Sequence, residues 1–256
     1  MRDGEPASSS LAALQQEYLR GGATERSQVI TLTDEEIVAV DLSTQSVVPL
    51  YWYSVQTPQD QRLARAVASR GLVARGWADA DSMATSVDDL ALTPTEPLLA
   101  VLELRRQSAL IVLAEQKSAA ETRARAYYLQ GDGTALEEAV NSGGLHRFST
   151  LSETAAIEEL ALWCDPAVCD EPVEPWSTRV ADHTELEAVV GANLLDTRVV
   201  TVIAAVSASA EPPIERYLTV YVSDDRLSVC GLESDELWVR DVSHQGLTSR
   251  IAAMIQ

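Results

Sequence analysis

The chain lays out one pattern twice. A run of β-rich segments closed by a Ser-capped amphipathic helix occurs before residue 164 and again after residue 180. In the first copy Pro97 to Arg106, Ser108 to Lys117 and Glu121 to Gln130 read as strands, followed by Leu145 to Ser149 and a helix opening at Ser152. In the second, Val199 to Ser209, Ile214 to Ser223 and Arg226 to Leu232 precede Leu237 to Val242 and a helix opening at Ser243. The match is one of architecture and not of residues. The connections are too short for crossover helices, so the expected fold class is α+β, a pseudo-two-fold duplicated unit of antiparallel sheets with flanking helices.

Local signals place the remaining elements. Residues 1–27 form a polar tail in which Leu11, Leu14, Tyr18 and Leu19 keep helical spacing up to Gly21 and Gly22. Thr33 with Glu36 three residues on is a capping-box pair, and Ile37 to Leu42 supplies that helix's apolar part. Leu50 to Val55, with Tyr51, Trp52 and Tyr53, favours a strand. Thr57 as N-cap, Pro58 at the first position and Asp60 in the first turn open a helix that Gly71 is expected to end, with Leu63, Ala66, Val67 and Arg70 as its packing stripe. Ser86 caps a short helix over Val87 to Leu92, and Thr184 with Glu187 caps another ending near Ala192. Alternation of Val101, Glu103 and Arg105 against Leu102 and Leu104 reads as a strand, and Ala109 to Ala114 as a central one. Gln130 to Gly133, Asn141 to Gly144 and Ser223 to Asp225 are turns. The domain reading is therefore a tail at 1–27, an α+β subdomain at 28–163, an acidic Pro-rich linker at 164–181 and a second α+β subdomain at 182–256.

Charge excludes several partners. Thirty-nine acidic side chains against nineteen basic ones give a formal charge of −20, and such a field repels a nucleic acid or an anionic membrane surface. No stretch is apolar enough over roughly 18 residues to span a membrane, and the N-terminus lacks the basic and apolar regions of a signal peptide, so a cytoplasmic protein is expected. Three cysteines are too few and odd in number for a disulfide framework.

The residues that carry chemistry elsewhere lack their companions here. Cys164 and Cys169, with His183 following, have no second ligand pair for a structural zinc and read as ordinary thiols. His146, His183 and His244 read as surface or cap-adjacent residues, without a nucleophile elbow beside them. Asp79, Asp81, Asp88 and Asp89 lack the calcium-loop glycine and terminal glutamate, so a solvated acidic loop is expected. Gly131-x-Gly133 is a hairpin turn and not a phosphate cradle. Lys117 sits exposed where a strand ends. Gln59 to Gly76 carries four arginines and finishes in Gly-Leu-Val-Ala-Arg-Gly, but it lacks the preceding helices of a winged-helix reader. No catalytic, cofactor-binding or metal residue is expected, and no partner-binding residue is assigned.

Val29-Ile-Thr-Leu-Thr33 entering a helix, Val48-Pro-Leu50, the helix ending in Arg70-Gly-Leu-Val73, and the Leu237-Trp-Val-Arg-Asp-Val-Ser243 strand before the last helix together resemble the EspG family of type VII (ESX) secretion-associated chaperones. The likeness covers about residues 28–256. It implies a pseudo-two-fold α+β fold, no enzymatic activity, no cofactor, and cytosolic binding of PE/PPE-type helical secretion substrates that are kept soluble for export. One lysine against eighteen arginines agrees with an actinobacterial member. The alternative is a scaffold or immunity-type protein of the same class that binds another protein; an enzyme with an unrecognised acidic site comes third.

Overall fold

A computed structural model describes residues 26–41, 47–80, 91–170, 172, 176–181, 183–194, 196–207, 214–224, 226–233 and 236–255. The class is α+β, with helices joined to antiparallel strands. The chain divides into two compact units, Met1–Ser108 with Tyr128–Ser152, and Ala109–Tyr127 with Glu153–Gln256.

In the first unit β1 (Ser27–Thr33) runs straight into α1 (Asp34–Val40). Thr33 Oγ1 accepts the Glu36 N–H at 3.4 Å and Glu36 Oε2 accepts the Thr33 N–H at 3.1 Å, the reciprocal pair read from the sequence. Leu50 to Val55 does not form the expected strand. It is a turn with a 3-10 segment at Tyr53–Val55, because Asp34 Oδ2 takes the backbone N–H of Trp52 and of Tyr53, each at 2.8 Å, and binds donors that a strand would give to a neighbour.

Helix α2 (Pro58–Ala74) opens as expected, with Thr57 Oγ1 accepting the Asp60 N–H at 3.2 Å and Pro58 at its first position. It then departs from expectation by continuing past Gly71 and by burying Ala68, Ser69 and Leu72, while Leu63 and Val67 stand 64% and 52% exposed. Its inner face packs on α1. There a Cβ on Gly71 would lie 3.9 Å from Glu36 Oε1, an ordinary van der Waals contact. Arg75, just past the helix, ion-pairs with Glu36. β2 (Ala78–Ala80) and β3 (Leu92–Pro94) form a small antiparallel pair.

Leu98–Arg106 is a helix, α3, and not the strand that its alternation suggested. Leu98, Val101, Leu102 and Arg105 are all buried, a spacing of three and four that follows a helical face. β6 (Thr134–Val140) and β7 (Leu145–Ser152) complete the unit, with strand order β1-β7-β6. The expected turns hold, with positive φ at Gly131, Gly133 and Gly144.

The second unit holds β4 (Leu110–Ser118), β5 (Thr122–Leu129, whose last two residues belong to the first unit), β8 (Ser177–Val180), β9 (Val199–Ser207), β10 (Ile214–Val222), β11 (Leu227–Glu233) and β12 (Glu236–Asp241), in the order β5-β4-β9-β10-β11-β12-β8. Its helices are α4 (Glu153–Cys164), α5 (His183–Asn193) and α6 (His244–Ile255). β8 lies inside the Pro-rich stretch between the two strand blocks and pairs with β12, Thr178 opposite Val239. Ser243 caps α6, its Oγ accepting the Gly246 N–H at 3.1 Å. Thr184 is not a cap: α5 starts at His183, and Glu185 Oε2 reaches back instead to the Ala181 N–H at 2.7 Å.

Connectivity repeats along the chain. A strand and helix, β1 with α1, are followed later by the meander β4-β5-β6-β7 and α4; β8 with α5 is followed by β9-β10-β11-β12 and α6. In each block the isolated strand pairs with the last strand of the meander, β1 with β7 and β8 with β12. The expected helix around Leu11 to Leu19 lies outside the described residues, as do residues 86–90 of the one expected over Val87 to Leu92; Leu92 itself is not helical but opens β3.

Candidate functional site

Register in the second unit divides its central strands into two unlike faces. On one, the rows Val112–Ala205, Ala114–Ile203–Leu218 and Gln116–Thr201–Val220 are fully buried. Helices α4 and α6, packed on each other, serve this side. Gln116 Nε2 donates to the Trp163 carbonyl at 3.0 Å, and Arg216 Nη1 donates to the Met254 carbonyl at 2.9 Å. Gln116 Nε2 also donates to Thr201 Oγ1 at 3.1 Å, and its Oε1 accepts from Arg123 Nε at 2.9 Å, so the polar side chains on this face are satisfied.

The opposite face carries the rows Ile111–Val206–Glu215, Leu113–Ala204–Tyr217 and Glu115–Val202–Thr219. Ile111, Leu113, Ala204 and Val206 are half-buried, and Val202 and Tyr217 are 45% and 54% exposed. A strand that is apolar on both faces belongs in a sheet covered on both sides, yet β9 presents Val200, Val202, Ala204 and Val206 on this open side. Further along the sheet the same face is sealed. Trp176, Leu186 and Val189 pack over Cys230, Val239 and Tyr221. The uncovered rows of three strands make a patch about 10 Å wide and about 20 Å long. Polar groups stand at its rim: Lys117 pairs with Glu115 at 2.9 Å, and Tyr217 Oη donates to Glu215 Oε2 at 2.5 Å. An apolar surface of this kind with a polar rim excludes water when a macromolecule covers it.

The first unit contains a second arrangement, which the sequence did not reveal. His146 on β7, expected at the surface, is wholly buried. Its Nε2 donates to Asp34 Oδ1 and its Nδ1 to Glu138 Oε1, both at 2.6 Å. Glu138 Oε2 accepts from Tyr128 Oη at 2.6 Å and lies 3.2 Å from Arg105 Nε. Arg105 Nη1 and Arg106 Nη2 then bind Asp41 at 3.1 and 2.9 Å. Burial works against the charge on His146, but its two carboxylate hydrogen bonds outweigh burial and raise its pKa. Glu138 is likewise opposed by burial, yet Arg105 and His146 hold its pKa below the usual value. Burial and Glu138 push the Tyr128 phenol well above its ordinary range. Both ring nitrogens of His146 are committed and the ring has no exposed surface, so the network is closed to a substrate and acts as an internal brace. The sequence did carry one sign of it: Glu137 and Glu138 are adjacent acids within a strand, both fully buried, and such charges need partners from elsewhere.

The other candidates fall apart in space or prove structural. Cys164 is buried at the end of α4, where burial raises its thiol pKa to about 12. Cys169 gives its backbone N–H to Asp165 Oδ2 at 2.8 Å. Among the described residues no group of three ligands is placed to hold a metal. His244 is partly exposed and contacts the buried Asp165 carboxylate at 3.0 Å, which makes it a cap-adjacent residue as expected. His183 is the first residue of α5. Asp79 lies on β2, while Asp81, Asp88 and Asp89 are outside the described residues. Lys117 is exposed at the end of β4. Gln59 to Gly76 covers most of α2.

No protein-family model matches the sequence, and no curated protein matches it. The fold does have a counterpart among solved structures. The chain is similar to a chain in the structure of the Mycobacterium tuberculosis type VII secretion system chaperone EspG5 in complex with the PE25-PPE41 dimer, with a TM-score of 0.57 and 10% identity over 88% of this chain and 95% of that one. At that identity the likeness defines the fold. No helix among the described residues is long and apolar enough to cross a membrane.

Proposed function

We propose that the protein is a non-enzymatic chaperone or adaptor that binds a helical protein client of PE/PPE type on the open face of β4, β9 and β10 and keeps it soluble for type VII export. The observation that carries this reading is the uncovered apolar row set around Val202, Ala204 and Tyr217, on a fold similar to that of EspG5. A helical bundle with an apolar end aggregates unless that end is covered, and a rigid sheet face covers it without any covalent step. A net charge of −20 keeps the loaded complex soluble. The closed His146 network favours binding over catalysis.

Co-expression with a PE/PPE pair followed by gel filtration tests the proposal. A stoichiometric soluble complex is expected, and Val202→Asp should abolish it while leaving the circular dichroism melt unchanged, because Val202 is half in water already. If wild-type protein leaves every PE/PPE pair tried in the insoluble fraction, the scaffold or immunity-type reading replaces this one. If Val202→Asp and Tyr217→Asp both retain the complex, the client sits elsewhere.

A further inference from the structure

Of the stripe of α2 that the sequence marks for packing, Leu63, Val67 and Arg70 face outward and Ala66 is half-buried. Leu63, Val67, Arg70 and Ala74 recur at intervals of four, three and four, and each is exposed. Arg62 stands exposed beside them. This is not how the chain treats its bases elsewhere. In a protein with twice as many acids as bases, most described basic side chains pair with a carboxylate, from Arg26 with Glu137 to Arg226 with Asp241. Arg62, Arg65 and Arg70 pair with no carboxylate among the described residues; Asp60, in the first turn of the same helix, is hydrogen-bonded to Thr57 instead. Nearby Val55 is 77% exposed and Trp52 is 38% exposed. The result is an apolar strip flanked by unneutralised guanidinium groups, on a chain whose overall field is negative.

We propose that the outer face of α2 is a second docking surface, separate from the client face, and that its occupant is an acidic amphipathic helix of a partner protein. The apolar side of that helix would cover Leu63 and Val67. Its carboxylates would meet Arg62 and Arg70, which are eight residues apart and so about 12 Å along the axis, a repeat that a second helix matches over two turns. Arginine suits the task because its fork binds a carboxylate bidentately and is less strongly hydrated than a lysine amine. A protein partner is favoured over DNA because a few arginines do not offset the repulsion of phosphates by the remaining acidic surface.

The test uses the full chain and three fluorescent probes in an anisotropy titration: an amphipathic Leu/Glu/Ala peptide of about 18 residues, the same peptide with every Glu replaced by Gln, and a DNA duplex of about 20 base pairs. The acidic peptide is expected to bind in the micromolar range and to weaken with salt. Arg62→Gln with Arg70→Gln, and separately Leu63→Ser with Val67→Ser, should each weaken it about tenfold. All four positions are exposed, so the melting curve should stay that of the wild type. Val202→Asp should leave this binding intact, which separates the site from the client face. Equal affinity for the acidic and glutamine peptides, no effect of the arginine variants, no binding of the acidic peptide at all, or arginine-dependent binding of the duplex in its place would each overturn the proposal.

Discussion

His146 Nε2 and Asp34 Oδ1 meet at 2.6 Å across 112 residues of sequence, in a site that water does not reach. Asp34 opens α1 and also binds the Trp52 and Tyr53 amides through its other oxygen. One carboxylate therefore ties β7, α1 and the turn before α2 into a single piece.

Removing the cation from that site should be costly. His146→Ala leaves Asp34 and Glu138 buried without their shared partner, and breaking a buried ion pair on one side costs about 3–5 kcal/mol. Chemical denaturation should show a midpoint shift of that size. A change below about 1 kcal/mol would mean that the pair is solvated or that the brace contributes little.

The same groups set a pH dependence with two opposite limbs. His146 has a folded pKa raised above 6.5, so the folded state holds its proton more tightly; the stability this adds is complete below about pH 6.5 and is lost as pH rises through the raised value. Glu138 has a folded pKa lowered from 4.5, so its contribution is complete above about pH 4.5 and is lost as pH falls through the lowered value. Both contributions are whole between those limits. Denaturation midpoints measured across the range should fall on the alkaline side in the wild type, and the His146→Ala variant should lack that part of the fall.

A glycine next to this site should be irreplaceable. Gly144 has φ +71, and a Cβ there would come within 2.8 Å of Asp34 Cγ and Oδ2 and 2.9 Å of Trp52 Cβ. Gly133 has φ +89 but nothing within 4 Å. Gly133→Ala should therefore cost only the backbone strain, about 1–3 kcal/mol, while Gly144→Ala adds a clash against backbone-anchored groups and should be clearly worse in urea titrations. Equal losses for the two would show that Asp34 and Trp52 move aside freely.

These features explain what could be read beforehand. The capping pair at Thr33 and Glu36, the Pro58 start, the turns at Gly131 to Gly133 and at Asn141 to Gly144, and the antiparallel meanders are local signals, and each appears in the structure. Long-range partners produced the failures. Pro97 to Arg106 reads as a strand when Arg105 is placed on the solvent side of an alternation; Arg105 is buried, with Asp41 and Glu138 neutralising it, and counting it as an inside residue brings out the helical period. Aromatics at 51–53 suggested a strand, but Asp34 had already claimed the amides. The inner side of α2 is lined by Ala68, Ser69 and Leu72, a face with one large apolar residue that the stripe of Leu63 and Val67 outweighs in the sequence although both of these stay outside. The apolar character of β9 was plain in the sequence. Which of its faces stayed open depended on where α5 came to rest.

The late part of the chain should not fold alone. A fragment spanning 178–256 keeps most of β8, α5, β9 to β12 and α6, yet the compact unit to which these belong also contains 109–127 and 153–164. Cutting there strips β9 of β4, with which it is in register from Ile111 opposite Val206 to Ser118 opposite Val199. It also removes α4 from α6 and the Trp163 carbonyl side of the buried face, so Ile203, Ala205, Val220 and Leu247 lose much of their cover. A new unpaired strand edge beside exposed apolar surface leads to aggregation. The fragment is expected in the insoluble fraction, or, if recovered, to bind a hydrophobic dye and melt without a cooperative transition. A soluble fragment with a sharp calorimetric peak would show that β8 to β12 with α5 and α6 has a core of its own, and that β4 and α4 are additions to it.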